Sequence, residues 1–219
     1  MADRLGASGW ETRCCPAPPV VHTTADVLST FHAAVPPDRR VVLVAHSNAG
    51  LYVPSLSAGY DVVAAVFVDA GLPVERGSQP MAPPALVTFL ASLADATGVL
   101  PPWTGWWDPA DVDGLFPDPS VRRAVEREQP RLPLTYFEER LEVPDGWGGL
   151  ACAYVAFGDT YAQERAEAVR RGWPVRTLQG GHLHMLMQPD AAAGVLVDVL
   201  QSLGVEHPRA PFGGSRRPA

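Results

Sequence analysis

Arg40-Val41-Val42-Leu43-Val44-Ala45-His46-Ser47-Asn48-Ala49-Gly50 orders the rest of the chain. Val41 to Val44 form an apolar, mostly β-branched run, which predicts a strand buried on both faces. The run passes directly into Ala45-x-Ser47-x-Ala49-Gly50, small residues spaced around a serine, and then into residues able to start a helix. A strand that turns straight into a helix holds one side chain at a tight apex above the carboxyl edge of the sheet. The next backbone N–H then faces the same space. The flanking residues must be small, because strand and helix backbones approach closely there. Ser47 is the apex residue, and Asn48 carries the following N–H.

Outward from this stretch, apolar strands alternate with helical patterns. Val62 to Val68 predict a second buried strand, ending at Asp69-Ala70-Gly71-Leu72-Pro73. Ala151 to Phe157 and Val175 to Leu178 predict two more. Thr160 to Arg171 and Ala191 to Leu203 read as helices, each followed by a glycine. Upstream, Thr23 or Thr24 can cap a helix carrying Val27, Leu28 and Phe31 on one face. Trp10 to Cys15 alternate like a short strand. The alternation predicts an α/β fold: a mostly parallel sheet, helices on both faces, and ligands at the carboxyl ends of the strands. Residues 74–148 interrupt the rhythm with many prolines and read as a helical cap inserted over that edge. Residues 1–73 and 149–206 then form the core, and 207–219, rich in Pro, Gly and Arg, a flexible tail.

The elbow, Val66-Phe67-Val68-Asp69-Ala70-Gly71-Leu72-Pro73 and Gly181-His182-Leu183-His184-Met185-Leu186 together resemble the α/β-hydrolase superfamily, in particular its small actinobacterial serine-hydrolase-like members. The resemblance covers about residues 1–205, with Ala45 standing where the G-x-S-x-G pattern usually has glycine. It implies a Ser47 nucleophile, a His182 base and a carboxylate that orients the base. A serine hydroxyl attacks an acyl carbon only when a neighbouring imidazole takes its proton. His182 is preferred to His184 because it follows Gly181 directly, and His184 is expected to line the pocket or pack. His46 is expected to pack or line the pocket. For the acid, the usual slot after the penultimate strand holds Tyr161, and Asp159 falls two residues early. Asp69, at the end of the strand after the elbow, resembles the alternative acid position of haloalkane-dehalogenase-like relatives and is preferred, with Asp159 as the alternative. Asp159 is otherwise expected to cap the following helix.

Asn48 is expected to give one oxyanion donor through its backbone N–H. The second usually comes from a His-Gly loop after an earlier strand, which has no counterpart among the 46 residues before Ser47. Either Trp10–Cys15 pairs with the elbow strand, or an upstream segment is absent. In the cap, Trp103, Trp106, Trp107 and Phe116 suggest a pocket for an aromatic or bulky apolar acyl group, or else glue the cap to the sheet.

These readings imply serine-dependent acyl chemistry on an ester or thioester. The alternatives are an acyltransferase of natural-product biosynthesis that passes the acyl group to a carrier-protein thiol, and a non-catalytic binding module. No cofactor is expected, and the histidines lack metal-ligand spacing. A net charge of −7, with no lysine among the 17 basic residues, argues against nucleic-acid or anionic-membrane partners. No apolar run approaches a membrane span, and the N-terminus does not read as a signal peptide. Three cysteines, two of them adjacent, make no disulfide framework, so a cytoplasmic location is expected.

Overall fold

The computed structural model describes residues 1–18 and 20–205; the expected flexible tail lies outside the described residues. The elements in chain order are α1 (Ala2–Ala7), α2 (Thr24–Ala34), β1 (Val41–Ser47), α3 (Val53–Gly59), β2 (Val62–Ala70) and β3 (Gly77–Pro80). The cap region continues with α4 (Pro84–Ala91), α5 (Pro109–Asp113), α6 (Pro119–Glu128), α7 (Leu134–Glu138) and β4 (Arg140–Val143). The chain then forms β5 (Ala151–Phe157), α8 (Ala162–Arg170), β6 (Val175–Leu178), α9 (His184–Met187) and α10 (Pro189–Ser202).

The main sheet has the order β1-β2-β5-β6, with every pairing parallel, so all its carboxyl ends share one edge. Successive β2 residues serve opposite faces, as the pleat requires. Val66 and Val68 pack with Leu196, Val199 and Leu200 of α10, while Ala65 and Phe67 pack with Val53 of α3 and Ala168 of α8. Val66, Phe67 and Val68 are almost wholly buried, each worth about 1.5–3 kcal/mol in apolar transfer. A third cluster joins the cap to α2 and the elbow: Tyr52, Met81, Leu90, Leu100, Trp106 and Phe137, with Phe31 against them.

Three sequence expectations change. Trp10–Cys15 forms no strand: Thr12, Arg13, Cys14 and Cys15 are exposed, and the Thr12 hydroxyl and Arg13 guanidinium donate to Ala2 O and Ala34 O. Pro16 and Pro18, which follow directly, lack the N–H that would extend a ladder. Among the described residues β1 therefore pairs only with β2. As an edge strand it is less buried than its apolar sequence suggests, and Val44 is 39% exposed because α10 lies over β2, β5 and β6 instead. The 74–148 region also contains strand structure, since β3 and β4 pair antiparallel across it. Among the described residues, no helix is long and apolar enough to cross a membrane.

Candidate active site

β1 ends at Ser47, and a 3-10 helix, Asn48–Tyr52, begins at the next residue. Ser47 has φ 58° and ψ −132°, a conformation that costs about 1–3 kcal/mol for a residue with a side chain. Two features hold it. The Gly71 N–H donates to Ser47 O at 3.0 Å, tying the apex to the end of β2. Gly50 lets the helix approach that same segment: a Cβ there would lie 2.1 Å from Gly71 O. Backbone proximity thus requires a glycine at position 50, three residues after the serine.

Asp69 lies at the β2 carboxyl end with φ 42° and no solvent exposure. Its Oδ1 accepts from the Phe157 N–H of β5 at 3.0 Å, and its Oδ2 lies 2.7 Å from His182 Nδ1. The Tyr154 hydroxyl donates to Ala70 O and accepts from Ala70 N–H, clamping the next residue of the same turn. On the other side of the imidazole, Nε2 lies 3.0 Å from Ser47 Oγ. A carboxylate only accepts, so His182 Nδ1 carries the proton, Nε2 is left as acceptor, and the Ser47 hydroxyl donates to it. The contacts therefore set a polarity running from serine through imidazole to carboxylate.

Asp159 is elsewhere. It is exposed, its Oδ1 pairs with Arg165 at 2.9 Å, and Tyr161 rather than Asp159 precedes the first turn of α8. The expected capping role is corrected: the helix begins at Ala162, which puts Asp159 out of capping register.

His46 stacks on His182 with ring centroids 4.4 Å apart, and its Nε2 lies 3.0 Å from the His182 carbonyl oxygen. That carbonyl accepts, so His46 donates there. Burial, reinforced by the neighbouring His182, lowers its pKa to about 4, which keeps the ring neutral at ordinary pH. His184 is buried, lies 5.5 Å from the Phe157 ring, and packs against the backbone of Gly180, where a Cβ would come within 2.1 Å of its Nδ1. Its packing shapes the loop that carries His182.

Asn48 is the first residue of the 3-10 helix, so its backbone N–H has no acceptor within that helix. Its side chain is held by a buried network: Nδ2 donates to Met81 O, Oδ1 accepts from the Tyr136 hydroxyl, and Tyr136 accepts in turn from Tyr52. The aromatic residues of the cap divide. The Trp103 ring lies 6.0 Å from His182, whereas Trp106 is buried against Phe137 and donates to Pro101 O. Trp107 is 40% exposed and stacks on Phe89. Phe116 is buried. Leu115 covers the histidine loop: a Cβ on Gly181 would lie 2.5 Å from its side chain.

Tyr161, which carries no role in the sequence pattern, places its hydroxyl 3.2 Å from Ser47 Oγ. Its only sequence signal is its place three residues after Gly158, the slot usual for an acid. Among the described residues, no group of three or more His, Cys, Asp and Glu could hold a metal ion. Two open clefts, of about 210 Å³ beside Leu72 and Arg171 and about 360 Å³ beside Pro54 and Trp147, include none of Ser47, Asp69 and His182 in their walls.

With this geometry in place, comparison with protein families matches residues 2–196 to the alpha/beta hydrolase family. The chain belongs to the α/β-hydrolase family. A comparison with curated proteins gave no match. Among solved structures, the α/β-hydrolase chain is similar to an extracellular alpha/beta-hydrolase from a Paenibacillus species, described as sharing structural and functional homology with tobacco salicylic acid binding protein 2. That pair has 16% identity and a TM-score of 0.63, and the match covers 90% of each chain. The chain is also similar to a variant of tomato methylketone synthase I complexed with beta-ketoheptanoate. There the identity is 14% and the TM-score 0.57, over 84% of this chain and 79% of the other. At these identities the likeness concerns the fold.

Proposed function

We propose that this α/β-hydrolase is a serine hydrolase that cleaves an ester or thioester through an acyl-Ser47 intermediate. The observation that carries the reading is the hydrogen-bonded line from Ser47 Oγ to His182 Nε2, at 3.0 Å, and from His182 Nδ1 to Asp69 Oδ2, at 2.7 Å. The required polarity is already present. Ser47 Oγ attacks the acyl carbon as its proton passes to Nε2, and the carbonyl electron pair moves onto oxygen. Asp69 stabilises the resulting imidazolium and holds its orientation. The Asn48 N–H faces the oxyanion. Collapse expels an alkoxide or thiolate, which takes the His182 proton. Water then repeats the sequence, losing its proton to Nε2, and the freed serine takes that proton back.

Trp103 is the cap aromatic nearest the base, which supports an apolar acyl group at this position. Leu115 and Trp103 also place apolar surface beside the histidine loop; apolar cover that limits water favours a second reading in which a thiol accepts the acyl group. Turnover of aryl esters and aryl thioesters, with and without a competing thiol, tests both readings. Product from wild type and none from Ser47→Ala supports the serine mechanism, and the split between acid and new thioester identifies the acceptor. Equal turnover by the two proteins contradicts both.

A further inference from the structure

We propose that the Tyr161 hydroxyl is a catalytic group that supplies a hydrogen bond to the tetrahedral oxygen formed on the acyl-Ser47 carbon, beside the Asn48 N–H. The proposal rests on the serine mechanism above and adds a donor to it.

The direction of the Tyr161 bond follows from proton counting. Ser47 has one proton, and it is committed to His182 Nε2, because Nδ1 must keep its own proton for Asp69. Ser47 Oγ can therefore only accept from a second partner. The hydroxyl 3.2 Å away is that of Tyr161, so the phenol is the donor. No other hydrogen bond is recorded for this hydroxyl among the described residues.

The tyrosine is also fixed in place. It is the residue before α8, its carbonyl accepts from Arg165 N–H at 2.9 Å, and its ring packs in the cluster containing Ala45 and Val53. The ring centroid lies 5.6 Å from that of His182. Burial raises its pKa above the ordinary phenol value, outweighing the Ser47 bond, so the O–H remains a donor at neutral pH.

When Oγ bonds to the acyl carbon, it loses its proton to His182 and becomes a poorer acceptor. The new oxyanion is two bonds away and is the strongest acceptor near the phenol. Tyr161 keeps its proton throughout, and its bond shifts from Oγ to the charged oxygen. A donor fixed before the reaction needs no reorganisation when the charge develops. It also suits the edge position of β1, which has no neighbouring strand on its far side among the described residues to bring a loop donor.

Tyr161→Phe keeps the ring and removes the donor. Against an aryl ester, kcat is expected to fall about 10²–10³-fold with KM changed little, the usual consequence of removing one oxyanion donor. Affinity for a trifluoromethyl ketone, which forms a charged tetrahedral adduct on serine, is expected to fall by a similar factor. A merely structural tyrosine would not link these two losses. In a complementary test, a more acidic fluorinated tyrosine at position 161 is expected to give kcat a new alkaline limb as its phenol ionises. Wild-type kcat and ketone affinity in Tyr161→Phe, or no such limb in the fluorinated protein, overturns the proposal. If wild type takes a fluorophosphonate on Ser47 in that case, the serine mechanism still stands. If folded wild type takes none, that mechanism falls, and the role of Tyr161 with it.

Discussion

Asp69→Asn isolates the carboxylate without changing its shape. The Phe157 N–H needs an acceptor, so the amide oxygen of Asn would occupy the Oδ1 position, 3.0 Å from that nitrogen. The amide NH2 would then face His182 Nδ1 from the Oδ2 position, where a donor cannot serve a protonated nitrogen. His182 would move its proton to Nε2 and lose the acceptor that Ser47 needs. A wrong tautomer together with a lost counter-charge is worth about 10⁴ in kcat, or about 5.5 kcal/mol of barrier. The assay is steady-state hydrolysis of an aryl ester, with near-UV circular dichroism to verify packing around a residue that has no exposure. Asp159→Asn is the control, because it removes only an exposed ion pair with Arg165 and is expected to leave the rate within twofold. Asp69→Asn activity within tenfold of wild type, in folded protein, refutes the reasoning; so does a large loss confined to Asp159→Asn.

Two further outcomes follow from packing and burial. Gly50→Ala puts a methyl group 2.1 Å from Gly71 O, backbone that cannot swing aside; a loss of about 3 kcal/mol, or about 6–12 °C in Tm, is expected by calorimetry, and an unchanged Tm contradicts the close approach. For His46, burial lowers the folded pKa to about 4 from 6.5. Between those values the unfolded chain binds a proton that the folded chain does not, so stability rises with pH across the window and is lost as pH falls through it, by about 3 kcal/mol in full. Urea unfolding at pH 7 and 4.5 is expected to show a larger acid loss for wild type than for His46→Gln, by about 2 kcal/mol; equal losses contradict the burial.

The fold was legible where sequence pattern and burial coincide. Val62–Val68 reads as a buried strand because both its faces are apolar, and β2 has helices on both sides. Ser47, Asp69 and His182 were recognisable as a group because Ser47 and Asp69 stand at the carboxyl ends of β1 and β2, His182 follows β6, and those ends share one edge. Val41–Val44 has the same apolar character, but a strand's neighbours are not written within it, so its edge position was hidden. Trp10–Cys15 alternates correctly over too few residues, beside prolines, to secure a place in the sheet. In the cap, aromatic content does not specify direction: Trp106 is buried, Trp107 is 40% exposed, and Trp103 approaches His182. The Tyr161–Ser47 contact joins residues 114 apart through the turn that precedes α8, and no local pattern encodes it.

Covalent trapping asks whether Ser47 is the nucleophile. Intact-protein and peptide mass spectrometry after incubation with a fluorophosphonate, and separately with an activated aryl thioester, reads the site of modification. One adduct is expected, on the peptide carrying Ser47, absent from Ser47→Ala and formed far more slowly by His182→Ala. An adduct on another residue, or none on folded wild-type protein, would contradict a Ser47 nucleophile.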